Sequence, residues 1–185
     1  MGADISTIVE ARDTEGIWRI VSAEQEHQVG VRTEDDFPFG VRSYAVYGFL
    51  GDVQNTACCP VIASGRGLPN DSAYLRESAN DLWCEKWSIA DSIIEDGNNY
   101  GYSFVTVAEL LAFDYEQQFE NLRLGNVYKS ADGNVVRYSG NKQGKPGEGE
   151  VMSMREHLGE HYFDELNKLR QLGEPENVRV IFWFN

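Results

Sequence analysis

The chain has 185 residues and a mass of 20.9 kDa, with 42% hydrophobic and 12% aromatic residues. That is enough for one folded domain and too rich in core formers for a disordered chain. Sixteen basic residues against 30 acidic ones give a net charge of −14, which excludes a general binder of nucleic-acid backbone and electrostatic attraction to an anionic membrane. No uninterrupted apolar run approaches the ~20 residues of a membrane span, and Met1 to Glu10, lacking a basic flank and a long apolar stretch, does not read as a signal peptide.

In chain order, residues 4–10 and 17–22 are rich in β-branched types and are predicted as two strands. The polar turn Arg12 to Gly16 joins them in a hairpin. The charged stretch Glu24 to Asp36 reads as a loop, and Phe37-Pro38-Phe39-Gly40 as a breaker with two aromatic anchors. Ser43 can cap a short helix over Tyr44 to Val53. Val61 and Ile62 suggest a short buried strand, and Ser64 to Ser72 an irregular loop. A helix is expected over Ala73 to Trp83, and Gly97 to Gly101 reads as a turn.

Thr106-Val107-Ala108-Glu109 has the spacing of a capping box and opens a helix through Leu110, Leu111 and Phe113. Residues 126–129 and 134–138 flank Asp132-Gly133, a hairpin signal. Gly140 to Gly149 carries four glycines and no apolar residue, and is expected to be a flexible exposed loop. Residues 151–172 hold Val151, Met154, Leu158, Tyr162, Leu166, Leu169 and Leu172 at helical spacing, with Gly173 and Pro175 as stops. Val178 to Phe184 is apolar on both faces and is expected as a central strand. The expected fold is a single α+β domain spanning 1–185. It has a mainly antiparallel sheet, several short helices and one long amphipathic helix before the last strand.

Cys58, Cys59 and Cys84 form an odd set with one adjacent pair, a poor disulfide framework. They read as small buried apolar residues of a reducing compartment. His157-Leu158-Gly159-Glu160-His161 matches the inverted zincin pattern, in which histidines at i and i+4 hold zinc and the glutamate acts as base. The context argues against it: no distal glutamate ligand follows at a suitable distance, and Gly159 weakens the helix. No metal, cofactor or catalytic set is therefore assigned. Arg66, between Gly65 and Gly67, could converge with backbone amides on an anion, or could tie down its loop through a carboxylate such as Asp71. Arg42, Tyr44, Arg66, Asn70 and Asp71 are the candidate ligand-binding residues. Acidic blocks run over 71–96, 109–120 and 148–176, and Glu109, Asp114, Glu116 and Glu120 are the candidate partner-binding residues.

The opening Met1-Gly2-Ala3-Asp4-Ile5 resembles the start of a group of small bacteriophage and prophage proteins of uncharacterised function, which begin Met-Gly-Cys/Ala-Asp-Ile-His. Further likeness lies in Arg42-Ser43-Tyr44, in Arg66 to Asp71, in Val105 to Leu111 and in Val178 to Asn185. Two histidines of that pattern are replaced, at Ser6 and near Tyr102. If they bind metal in the relatives, this chain has lost that capacity. The resemblance implies a phage or prophage origin and a host-cytoplasm location, and carries no activity with it.

Three functional classes follow. The favoured one is a non-enzymatic acidic protein that blocks a host defence-related protein, with a basic host protein or protein–nucleic-acid complex as partner and a nucleic-acid-like negative surface. It makes no direct contact with nucleic acid or membrane. The second is a binder or sponge for a nucleotide signal, an anionic small molecule held by Arg42, Arg66 and aromatics such as Trp18, Tyr44, Trp83 and Trp87. The third is a metal-dependent hydrolase using Asp4, Asp71 and the helix histidines.

Overall fold

A computed structural model of the chain describes residues 2–21, 38–74, 99–129 and 135–185. The expected loop over 24–36, most of the helix over 73–83, and Trp83, Cys84, Trp87 and Asp132-Gly133 lie outside these residues. The described elements are β1 (Ile5–Arg12), β2 (Trp18–Ile20), α1 (Tyr44–Gly51), β3 (Tyr100–Thr106) and α2 (Val107–Ala112). There follow β4 (Gln118–Asn121), β5 (Arg123–Lys129), β6 (Val135–Gln143), β7 (Glu150–Ser153), α3 (Met154–Arg170), a 3-10 turn (Pro175–Asn177) and β8 (Val178–Phe184).

Four strands form an antiparallel sheet in the order β2-β1-β8-β3. Both the first and the last strand are therefore interior, as their apolar composition requires. All seven residues of β8 are buried. β1 pairs with it from Ile5↔Phe184 to Ala11↔Val178. Because side chains alternate along a strand, this register sorts them onto two faces. One face carries Ile5, Val9, Ala11, Val105, Val178, Val180, Phe182 and Phe184. It packs on Tyr47, Phe49 and Leu50 of α1 and on Met154, Leu158, Tyr162, Leu166 and Leu169 of α3. Each fully buried aromatic here contributes about 1.5–3 kcal/mol of transfer free energy. The opposite face carries Ser6↔Trp183, Ile8↔Ile181 and Glu10↔Arg179.

The helices start where their caps dictate. Ser43 accepts from the Val46 amide. Thr106 and Glu109 complete the expected capping box, and Ser153 and Glu156 complete a second one. α1 ends at Gly51, earlier than Val53, because Asp52 turns into the left-handed region. At Gly51 a Cβ would fall 2.6 Å from the Phe184 ring, so only glycine lets the helix approach β8 this closely.

Several expectations are corrected. Residues 61–62 form no strand: Val61 is exposed, and the Ile62 amide bonds to the Phe49 carbonyl, tucking the segment under α1. Tyr100 and Gly101 belong to β3 through a bulge in its register rather than to a turn. The segment 140–149 is not wholly a loop, since β6 runs to Gln143. The last helix starts at Met154, because 150–153 pairs with β4 as a strand and leaves Val151 exposed. Leu172 lies beyond the helix and is exposed. The helix is also kinked: Gly159 sits at φ 75°, ψ 170°. Cys59 is buried and its thiol is pushed up to about 12 by burial, but Cys58 is exposed.

Candidate functional site

The polar centre of the molecule lies on the sheet face opposite α1 and α3. Glu10, fully buried on β1, faces Arg179 of β8, which is also buried. Arg179 Nε donates to Glu10 Oε2 at 2.9 Å. Its Nη2 lies 2.7 Å from the same oxygen, a close charge contact rather than an aligned hydrogen bond. Glu10 Oε1 accepts from the Ser72 hydroxyl at 2.6 Å and from the Tyr74 amide at 2.8 Å. Arg179 Nη1 donates to Asp71 at 2.8 Å, and Trp18 Nε1 donates to the other Asp71 oxygen at 2.9 Å. The Arg179 guanidinium lies 3.9 Å from the Trp18 ring and 5.9 Å from the Phe104 ring. A buried charge persists only when it is paired and hydrogen-bonded, and both conditions hold here. Partial burial pushes Asp71 up, but the Arg179 and Trp18 contacts outweigh it and hold its carboxyl below the usual range.

Sequence reasoning placed Asp71 in a ligand site and missed Glu10 and Arg179. The available signal was the lone acid near the end of β1 and the lone base inside an otherwise apolar β8. Two opposite charges in the two most apolar strands point to each other.

Arg66 lies beside this cluster, 5.7 Å from the same Phe104 ring. Its partner is Glu109, at 2.8 Å, rather than Asp71. Its guanidinium also donates to the Phe104 and Ile62 carbonyls. The Arg66 amide donates to Ser103 Oγ and the Gly67 amide to the Tyr102 carbonyl, while the Ser103 hydroxyl donates to the Ala63 carbonyl. Gly65 at φ 70° and Gly67 at φ 74° make this close approach possible. The loop thus covers the outer edge of β3, an edge that would otherwise invite pairing with another chain. Burial pushes Glu109 up, and the Thr106 amide and the Arg66 guanidinium more than reverse this.

The five candidate ligand residues do not converge. Arg42 makes a bidentate pair with Asp4, at 2.7 and 2.6 Å, and this hydrogen bonding holds the Asp4 carboxyl below its ordinary value. Tyr44 lies near Gly2 and takes the Arg123 guanidinium over its ring at 5.3 Å. Asn70 is exposed. Asp4 and Glu10 stand six residues apart along β1, about 20 Å, so Asp4 and the Asp71 cluster cannot act on one substrate atom.

The two helix histidines are also separated. The break at Gly159 removes the i, i+4 relation that a zinc pair needs. His161 is exposed. His157 packs edge-on against Phe119 at 5.0 Å with Nε2 buried, and burial together with the Arg123 charge lowers it to about 4. Among the described residues no group of three or more His, Cys, Asp or Glu could hold a metal ion.

Of the candidate partner residues, two have structural work. Glu109 closes the α2 cap, and Glu120 accepts from the Gly147 and Gly149 amides at 2.6 and 2.9 Å. Glu116 pairs with Arg155 on the surface at 2.6 Å, and Asp114 accepts from the Glu116 amide. Glu160 and Asp164, one turn apart on α3, are exposed and carry no ion pair among the described residues.

No family model, no curated protein and no solved structure matches this chain. The fold is α+β with a mainly antiparallel four-stranded sheet and a long helix before the last strand. No helix among the described residues is long and apolar enough to cross a membrane.

Proposed function

We propose that the chain is a non-enzymatic acidic binding protein of phage or prophage type that blocks a basic host protein, in a defence-related complex that handles nucleic acid. The supporting observation is where the charges are spent. Arg42 and Arg66, the cations a nucleotide ligand would need, are each engaged by a carboxylate, while exposed acids such as Glu160 and Asp164 have no cation partner among the described residues. A surface of this kind steers and orients a cationic partner. Among the described residues, the candidate ligand residues of the small-molecule reading do not converge, and Asp4 and Asp71, the acids of the hydrolase reading, lie apart.

The test is affinity capture from host lysate at low and high salt, with mass spectrometry of both captured proteins and released small molecules. The expected result is a basic protein retained at low salt and released as salt rises. Recovery of a nucleotide with no protein would refute the reading.

A further inference from the structure

The link between α3 and β8 runs beside α2. β3 pairs with β8 as far as Thr106↔Arg179, so the chain enters α2 alongside the 3-10 turn that precedes β8, and α2 packs on that turn. A Cβ at Gly173 would lie 3.5 Å from Val178, so the link folds back against the start of β8. Glu109 turns one flank of α2 to Arg66. Ala108 and Leu111, three residues apart, share the flank away from Glu109, toward the 3-10 turn. Leu111 and Leu172 therefore lie at the same end of the sheet, 37% and 45% exposed. Every charged residue over 107–117 and 172–177 is an acid. Glu109 and Glu116 are paired with arginines, but Asp114, Glu174 and Glu176 are exposed and hold no ion pair among the described residues. Arg170, the nearest base along the chain, sits in the last turn of α3, where a cation complements the helix C-terminus.

We propose that Leu111, Leu172, Glu174 and Glu176 form the docking surface for a basic amphipathic helix of the protein partner. The apolar stripe of that helix covers the leucines, and its lysines and arginines meet the glutamates. This rests on the acidic-binder reading above and names the segment of the partner that the surface receives. The occupant follows from charge and from backbone. Single exposed leucines are ordinary, but two at one end of the sheet, bordered by acids without cation partners among the described residues, suit a segment apolar on one side and cationic on the other. The surface is built from α2, the 3-10 turn and the end of α3, while the Arg66 loop covers the outer edge of β3. Among the described residues it offers no strand edge, so the partner must satisfy its own backbone, as a helix does. A second copy of this chain fits poorly, because a two-fold contact would set Glu174 and Glu176 against their own copies.

The test titrates the full chain, by fluorescence anisotropy, into a labelled leucine–lysine peptide of about 18 residues patterned as an amphipathic helix. The control is a peptide of the same composition in scrambled order. The exposed parts of Leu111 and Leu172 together amount to most of one leucine, whose burial corresponds to about tenfold in affinity or more. The patterned peptide should therefore bind at least about tenfold more tightly than the scrambled one, and Leu111→Ser/Leu172→Ser should remove that advantage. Glu174→Gln/Glu176→Gln should weaken binding of the patterned peptide and flatten its salt dependence. Thermal melts check that the variants fold, and Leu172→Ser alone, outside any helix, serves if the double leucine variant does not. Equal, salt-sensitive binding of the two peptides would overturn the docking surface and leave the acidic-binder reading standing. So would a folded leucine or glutamine variant that binds the patterned peptide as the wild-type chain does. Failure of both peptides to bind at low salt would overturn both.

Discussion

Replacing Arg179 with leucine removes the only cation among the described residues that touches the fully buried Glu10 carboxylate. Glu10 then keeps two neutral donors, the Ser72 hydroxyl and the Tyr74 amide. An orphaned buried charge of this kind costs about 3–5 kcal/mol, and the lost stack on Trp18, at 3.9 Å, adds about 0.5–2 kcal/mol. Against a total stability of about 5–15 kcal/mol, Arg179→Leu should remove about a quarter or more. The double variant Glu10→Leu/Arg179→Leu leaves neither charge buried, and Asp71, with a side chain 60% exposed, can be hydrated. It should therefore be more stable than Arg179→Leu alone, with a coupling of about 2 kcal/mol or more across the cycle. Urea unfolding followed by tryptophan fluorescence measures all four corners at a common slope. A single variant within about 1 kcal/mol of wild type, or a double variant that loses the sum of both singles, would refute the reasoning.

Thr106→Ala opens the α2 capping box and should cost about 0.5–2 kcal/mol in the same assay. Arg66→Ala should leave the protein folded but loosen the loop over β3, read as faster amide exchange at residue 66 and at Gly67, whose amides donate to Ser103 and Tyr102. His157 titrates near 4 when folded, against 6.5 ordinarily. As pH falls through that window the unfolded chain takes up a proton that the folded chain refuses, so stability declines from pH 6.5 toward 4. His157→Gln should make that decline shallower than in the wild-type chain, measured as the melting temperature across the window.

Much of the fold was legible because local signals and burial agreed. The spacing of Thr106 and Glu109 specified a cap that the structure contains, and the apolar run 178–184 specified a central strand. What was not legible depended on long-range pairing. Residues 150–153 continue the helical periodicity of α3, yet β4 captures them as a strand, which no local pattern encodes. Gly159 reads as a weak point in a helix, but its positive φ, which separates His157 from His161, shows only in the fold. Val61 and Ile62 have strand composition and no strand partner. For the site, residue types identified Arg42, Arg66 and Asp71 as notable. Their partners Asp4, Glu109 and Arg179 lie 38, 43 and 108 residues away, and only the fold shows them.

The acidic-binder reading is tested most directly by ranking two variants for capture of the host partner. Glu160→Lys/Asp164→Lys reverses two exposed charges on α3 that hold no ion pair among the described residues, unlike Glu109 and Glu120, which close a cap and hold two loop amides. Arg66→Ala removes the cation an anionic ligand would need. If the chain presents a negative face to a basic protein, the double reversal should slow association and flatten its salt dependence, while Arg66→Ala binds as wild type does. Capture abolished by Arg66→Ala in a folded protein, and untouched by the double reversal, would contradict it.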